Sequence, residues 1–203
     1  MSPSHVVEPT YQAIKRRLMA GDWPMGMRIE AARLADELGV SMTPVRDSLF
    51  RLVGERMVDF SHGEGFRVHR LTEIELRDML ELHLILALAA LATSVGARQE
   101  QPGEPLQLAD DADRAARLFG SLARRSGNSE IALAIASLGD RLHLARASEA
   151  SVIGETGTEM DALEDATRGA HIMPTIRDLM LRYHERRARE AAAIVRLLAG
   201  EAS

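Results

Sequence analysis

The sequence predicts a mainly α-helical protein in which an N-terminal winged helix-turn-helix, made of three helices and a β-hairpin, precedes an all-α helical bundle. Apolar residues recur at intervals of three and four along most of the 203 residues, which indicates amphipathic helices. Aromatic residues make up only 3% of the chain, so the core is built mainly from aliphatic residues and methionine, a composition that suits packed helices. A change to longer helical periods after residue 71 predicts two domains, residues 1–71 and residues 72–203.

The first predicted helix carries Tyr11, Ile14 and Leu18 and ends at Gly21. Because these apolar residues lie three and four positions apart, they share one face of the helix. Residues 21–29, GDWPMGMRI, then predict a turn that leads into a short strand.

Residues 29–52, IEAARLADELGVSMTPVRDSLFRL, predict two helices joined by a tight turn. Gly39 marks the turn because glycine adopts the left-handed backbone conformation without steric cost. Ser41 is expected to cap the second helix, and Pro44 is tolerated in its first turn, where no backbone N–H is needed. Such a pair is a helix-turn-helix, whose second helix fits the major groove of DNA.

Residues 57–60 and 65–69 predict two strands, and the turn residues 61–64 between them predict a hairpin. Three helices followed by such a hairpin form a winged helix-turn-helix.

From Tyr11 to His69, without a gap, the chain resembles the N-terminal domain of the GntR transcriptional regulators. This resemblance implies a DNA-binding regulator, not an enzyme, whose partner is a double-stranded operator. The positions that carry it are Tyr11, Ile14, Gly21, Pro24, Gly26, Arg28, Leu34, Ala35, Leu38, Gly39, Val40, Ser41, Thr43, Pro44, Val45, Arg46, Leu49, Leu52, Gly63, Gly65 and Val68.

The resemblance also assigns DNA contacts by position. Arg46 lies one turn into the second helix of the pair, where it is expected to reach a guanine edge or a phosphate. Ser41 and Thr43 lie at the start of that helix, where hydroxyl and amide groups meet phosphate. The family usually has arginine at position 42. Met42 cannot form a bidentate hydrogen-bond pair, so we expect an altered operator or weaker binding.

Further contacts are expected around this helix. His62 and Gly63 lie at the tip of the wing, where they are expected to enter the minor groove. Arg33 and Arg51 are secondary candidates for phosphate contacts.

Charge and composition limit the other possibilities. The formal net charge is −5, and residues 1–71 carry 10 Lys and Arg against 9 Asp and Glu, whereas residues 72–203 carry 15 against 21. The acidity therefore lies outside the predicted DNA-binding domain, and a dimer is expected to be needed for useful affinity. The chain has no cysteine, no visible signal peptide and no apolar run near the roughly 20 residues that span a bilayer, so we expect a cytoplasmic protein without membrane contact.

The second domain is predicted to contain long helices. The expected spans are 73 to about 97, 106–125, 129 to about 150, 159–168 and 174 to about 199. In the first of them, the predicted buried stripe consists of Ile74, Met79, Leu82, Ile85, Leu86, Ala89 and Ala90.

A helical domain behind a GntR-like head resembles the FadR subfamily, whose FCD-type C-terminal domain binds effectors and forms homodimers; here it looks shortened. Many members hold Zn, Ni or Mn with one Asp and three His. In this chain the corresponding metal set would be Asp140, His143, His171 and His184, although the position four before His143 is Gly139 rather than Asp.

The resemblance further implies a small-molecule effector, which a carboxylate would suit. His83 occupies the place of a family arginine that meets a ligand carboxylate, so His83, His143 and His184 are the predicted effector-binding residues.

Two other functions remain open from the sequence. The effector site has decayed in one of them, and the regulator acts constitutively or through a protein partner. The remote alternative is a metal-dependent hydrolase that uses the histidines, although the chain has no HExxH motif and no phosphate-binding glycine loop. A purely structural dimerisation module would make Arg46 irrelevant to DNA affinity.

Overall fold

The computed structural model describes residues 4–94, 110–168 and 173–201. The chain divides into two compact units, Met1–Leu71 and Thr72–Ser203, and each has its own hydrophobic core. The predicted fold class is confirmed: helices dominate both units, and within the described ranges strands occur in the N-terminal unit alone. None of the described helices is long and apolar enough to cross a lipid bilayer.

The N-terminal unit contains the three predicted helices, α1 (Ser4–Ala20), α2 (Ala31–Leu38) and α3 (Met42–Gly54). Gly39 ends α2 with a φ of 65°, the left-handed conformation that the predicted turn requires. Helices α1, α2 and α3 each bury one apolar face. The core residues that they contribute are Tyr11, Ile14, Leu18, Leu34, Ala35, Val45, Leu49 and Leu52.

The wing is part of a three-stranded antiparallel sheet. Its strands are β1 (Arg28–Ile29), β2 (Val58–Ser61) and β3 (Gly65–Val68), in the order β1-β3-β2. Phe66 and Val68 of β3 are buried in the same core as the helices, so the hairpin is held against them. The short strand predicted before α2 is therefore the third member of the sheet.

The helical unit contains α4 (Glu73–Thr93), α5 (Asp111–Arg125), α6 (Ser129–Ile153), α7 (Thr156–Arg168), α8 (Met173–Arg189) and α9 (Ala191–Leu198). Each N-terminus of α4, α5 and α6 is capped by a side chain, from Thr72, Asp110 and Asn128 respectively. These caps satisfy backbone N–H groups that have no partner within the helix.

The stripe predicted for α4 is wrong in its phase. Ile74, Leu82 and Ile85 are exposed, by 72%, 47% and 55%. The buried residues of α4 are instead Leu76, Met79, Leu80, His83, Ala87, Ala90 and Leu91. Because α4 is apolar on almost every side, its sequence has little periodic contrast from which the buried face can be found.

The last predicted helix is also two helices rather than one. Helix α8 ends at Arg189 and α9 begins at Ala191, with Glu190 between them at φ −93° and ψ 9°. Neither glycine nor proline marks this break, so the sequence carries no punctuation there. Ala191 and Ile194 of α9 are buried, and their packing accounts for the change in direction.

Candidate nucleic-acid interface and buried polar cluster

The outer face of α3 presents the side chains that the sequence predicts for base contacts. Met42, Thr43 and Arg46 are exposed, whereas Val45 and Leu49 on the opposite face are fully buried. The buried face fixes the helix against the core and so fixes which side chains point outward.

Arg46 forms no ion pair or hydrogen bond within the part of the chain that the structure describes. Ser41 is the N-cap residue of α3, as predicted, but its hydroxyl makes no cap hydrogen bond. An unpaired guanidinium and an uncommitted hydroxyl at the start of a helix are both available to a phosphate or a base edge.

The two secondary arginines differ in their surroundings. Arg33 has a side chain that is 76% exposed, and it pairs with Glu37 at 3.0 Å on the surface of α2. Arg51 instead lies in the ion-pair network of the N-terminal unit, 2.7 Å from Glu8 and stacked 3.6 Å from the centre of the Tyr11 ring. These contacts compete with the phosphate contact that the sequence predicts for Arg51.

The wing tip is formed as predicted. His62 and Gly63 are exposed in the turn between β2 and β3, and Gly63 has a φ of 88°. The His62 ring lies edge-on to Phe60, 5.5 Å between centres. A glycine at the tip leaves the backbone free to approach a groove closely.

The helical unit buries a group of polar side chains that we call the polar cluster: His83 of α4, Arg146 of α6 and His184 of α8. His83 Nδ1 lies 2.8 Å from His184 Nε2, and Arg146 Nη2 lies 3.3 Å from His83 Nε2. His184 Nδ1 lies 2.8 Å from the carbonyl oxygen of Met180. The exposed fractions are 0%, 3% and 2% for His83, Arg146 and His184.

Burial keeps both imidazoles of the polar cluster neutral. It lowers the pKa of His184 to about 3, and burial followed by the charge of Arg146 lowers the pKa of His83 well below its ordinary value. The Met180 carbonyl can only accept, so His184 Nδ1 carries the proton and donates. His184 Nε2 therefore accepts from His83 Nδ1, and His83 Nε2 accepts from Arg146.

A buried ion pair lies beside the polar cluster. Arg187 of α8 binds Glu149 of α6 through two hydrogen bonds, of 2.9 and 2.5 Å, and Glu159 of α7 through one of 2.6 Å. Its guanidinium stacks on the ring of Tyr183 at 3.4 Å. Burial raises the pKa of Glu149 against the opposing charge of Arg187. This arginine therefore joins three helices of the unit.

The structure does not bring the predicted metal residues together. Asp140 and His143 are half-buried on α6, and the residues that are described contain no group of three His, Asp or Glu side chains able to hold a metal ion. His171 lies outside the described residues. In the polar cluster, the lone pairs that a metal would need on His83 and His184 accept hydrogen bonds instead. These imidazoles do not fit a metal site, and the guanidinium beside them opposes a cation.

Of the predicted effector-binding residues, His83 and His184 are in contact, and His143 is not part of the polar cluster. Sequence reasoning treated Arg146 and Arg187 as exposed and did not single out Glu149. One signal was present: Arg146 and Glu149 continue, at helical spacing, the buried face of Leu138, Leu142 and Ala145.

Comparisons with known proteins agree with this geometry. Residues 7–68 match the family model of bacterial regulatory proteins, gntR family. The HTH-type transcriptional regulator McbR of Escherichia coli (strain K12) is 32% identical over 82 residues, which make up 40% of this chain and 37% of that protein. The sequence match thus covers little more than a third of that relative.

Two solved structures resemble the whole chain. E. coli McbR/YncC gives a TM-score of 0.70 at 18% identity, covering 95% of this chain and 99% of that chain. A putative GntR transcriptional regulator from Rhodococcus sp. RHA1 gives 0.72 at 15% identity, covering 92% and 97%. At such identities the likeness shows the fold, a GntR-type winged helix-turn-helix followed by a helical domain.

Proposed function

We propose that this chain, whose N-terminal domain is of the GntR type, is a transcriptional regulator that binds double-stranded operator DNA as a homodimer. The observation that carries this proposal is the exposed face of α3, where Arg46 stands without an ion pair among the described residues. Helix α3 would enter the major groove with Arg46 at a guanine, while Ser41 and Thr43 contact phosphate. His62 and Gly63 of the wing would reach the minor groove.

Dimerisation follows from affinity. With 10 basic and 9 acidic residues in residues 1–71, one head attracts the phosphate backbone only weakly. Two heads on a palindrome, with half-sites about 10 base pairs apart or a multiple of that, would supply the missing affinity. A chromosomal operator implies a cytoplasmic protein.

The helical unit supports a FadR-like role as the effector domain. An effector bound in it would change operator affinity by a coupling free energy of about 1–3 kcal/mol, and repression is the output that we propose. The curated relative and the Rhodococcus structure are both named as transcriptional regulators, which supports a regulator rather than an enzyme.

The test is selection from a random duplex DNA library by the full-length protein, followed by titration of the enriched site. We expect a palindromic site, and we expect Arg46→Ala to weaken binding about 10- to 100-fold, since a bidentate base contact contributes about 1–3 kcal/mol. Arg77→Ala, which removes an exposed arginine from α4, is the charge-matched control and should leave affinity unchanged. Failure to enrich any sequence would overturn the proposal.

A second proposal is a regulator that needs no small molecule and acts constitutively or through a protein partner. The mutual hydrogen bond of the buried His83 and His184 favours it, because a pair committed to each other is a plausible remnant of a site. Operator affinity that ignores substitutions in the polar cluster would support this second proposal.

A further inference from the structure

Arg146 is the feature of the helical unit that its own neighbours leave incomplete. The side chain is 3% exposed, and Nη2 donates to His83, yet Nε and Nη1 have no partner in the described part of the chain. A buried charged N–H without a hydrogen bond is costly, so such groups usually meet a partner that is part of the working protein.

A second unsatisfied group lies close by. The hydroxyl of Tyr183 is buried without a partner, and Arg146 is near enough to lower the pKa of Tyr183 against the larger opposing effect of burial. The rings of Tyr183 and His83 both contact Phe119, at 5.5 and 4.6 Å, and the Arg146 guanidinium lies 5.7 Å from the same ring. Three unsatisfied donors thus surround one aromatic side chain.

Gly139 leaves room beside the guanidinium. A Cβ atom at this position would meet a single atom within 4 Å, Nη1 of Arg146 at 4.0 Å, outside its own helix. Gly139 and Arg146 lie seven residues apart on α6, so they share a face, and Gly139 is half-buried. Space and an unsatisfied cation therefore adjoin each other on the side of α6 that is not sealed from solvent.

We infer that this site binds a small carboxylate directly through Arg146, without a metal ion. Nε and Nη1 form one edge of the guanidinium, and a carboxylate accepts two parallel hydrogen bonds from such an edge. The Tyr183 hydroxyl is a further donor. The neutral histidines fix the guanidinium from the other side: Arg146 donates to His83, which donates to His184, which donates to the Met180 carbonyl.

This assignment deepens the proposed function, because it names the ligand class of the proposed effector domain and rests on that proposal for its biological meaning. It also explains why the polar cluster contains an arginine where a cation site would need free imidazole lone pairs. The anion would neutralise a charge that the fold otherwise leaves uncompensated.

The experiment measures the melting temperature of the full-length protein by circular dichroism, with sodium acetate as the probe and sodium chloride balancing ionic strength. EDTA is present throughout. We expect a saturable rise of about 3 °C or more with acetate. A wild-type protein that shows no rise, or one whose rise disappears when EDTA is added, would overturn the inference.

Three variants localise the response. Arg146→Met should abolish it. Gly139→Asp should also abolish it, because the new carboxylate reaches Nη1 and takes the place of acetate. Gly139→Ala is the matched control: it adds the same Cβ without the charge, and its response should remain. A full response in Arg146→Met or in Gly139→Asp would contradict the site.

DNA binding is measured on the same preparations with the enriched site. Binding that persists without any acetate response overturns this inference and leaves the proposed function standing. An acetate response in a protein that selects no DNA has the reverse meaning.

Discussion

Arg46 in the N-terminal unit and Arg146 in the helical unit both have N–H groups without a partner among the described residues, but their surroundings are opposite. Arg46 is exposed, so water completes its hydrogen bonds at no cost. Arg146 is buried, and each missing hydrogen bond there costs about 1–3 kcal/mol or more. An unpaired surface arginine thus indicates function only through the helix and wing that present it. An unpaired buried arginine requires a cause of its own.

The same comparison holds for paired charges. In the N-terminal unit Arg51 and Glu8 are about half exposed, so their ion pair contributes little to stability. In the helical unit Arg187 and Glu149 are almost fully buried. Charges in the first unit are available to a partner, whereas charges in the second hold the fold.

The largest expected effect comes from breaking that buried pair. Arg187→Met should lower the free energy of unfolding of the helical unit by about 3–5 kcal/mol, because Glu149 and Glu159 would lose their counter-charge. Urea unfolding followed by circular dichroism measures this. The double variant Arg187→Met/Glu149→Met should recover part of the loss.

Arg168→Met is the control for that experiment. Arg168 pairs with Glu164 on the surface of α7, and its side chain is 58% exposed, so we expect a loss of about 1 kcal/mol or less. Equal losses in Arg168→Met and Arg187→Met would erase the difference between surface and buried charge.

The next effect concerns base preference in the N-terminal unit. Met42 is 45% exposed at the start of α3, and an apolar side chain there suits the methyl group of thymine. Met42→Arg should shift the selected operator toward guanine at one base pair of each half-site, by about 2 kcal/mol. Library selection with each protein compares the two preferences.

Met27 provides the matched control, since it is 41% exposed in the same unit but lies before β1, outside α3. Met27→Arg adds the same charge and should leave the selected bases unchanged. If Met42→Arg and the wild type select identical half-sites, Met42 does not face a base.

The smallest effect is a pH dependence of the helical unit. His83 and His184 have folded pKa values below their ordinary 6.5, so the unfolded chain binds more protons as the pH falls from 6.5 toward 3. Stability is therefore lost on acidification, by about 1 kcal/mol per histidine for each pH unit in this window. Urea unfolding at pH 7.5, 6.5 and 5.5 measures the slope.

The double variant His83→Leu/His184→Leu should show a smaller slope over the same pH range. Fluorescence of Trp23, the one tryptophan of the chain, follows the N-terminal unit separately in each experiment. A slope that survives in the double variant would assign the acid sensitivity to other groups.

The N-terminal unit was largely predictable because its signals are local. Gly39 alone fixes the turn between α2 and α3, and the glycines of the wing fix the hairpin. The helical unit was less predictable because its signals depend on neighbours distant in sequence. His83 and His184 are 101 positions apart, and nothing near either residue indicates that their rings are in contact.

Burial of charge was the hardest feature to predict. Arg187 looks like one member of an arginine-rich surface, since Arg186 and Arg189 beside it are not buried. Only the carboxylates of Glu149 and Glu159, supplied by two other helices, make its burial tolerable. The predicted roles of the DNA-contacting residues, the effector and the dimer remain predictions that the experiments above address.

The cap at the start of α4 bears on how such chains are assembled in evolution. Thr72 and Glu75 bond each other reciprocally: the Thr72 amide donates to the Glu75 carboxylate, and the Glu75 amide donates to the Thr72 hydroxyl. Both partners lie after Leu71, where the first unit ends. A recombination event at that junction would give α4 a new neighbour in sequence without removing a hydrogen bond from its first turn. Heads with different operators can be exchanged there at little cost to the helix that follows.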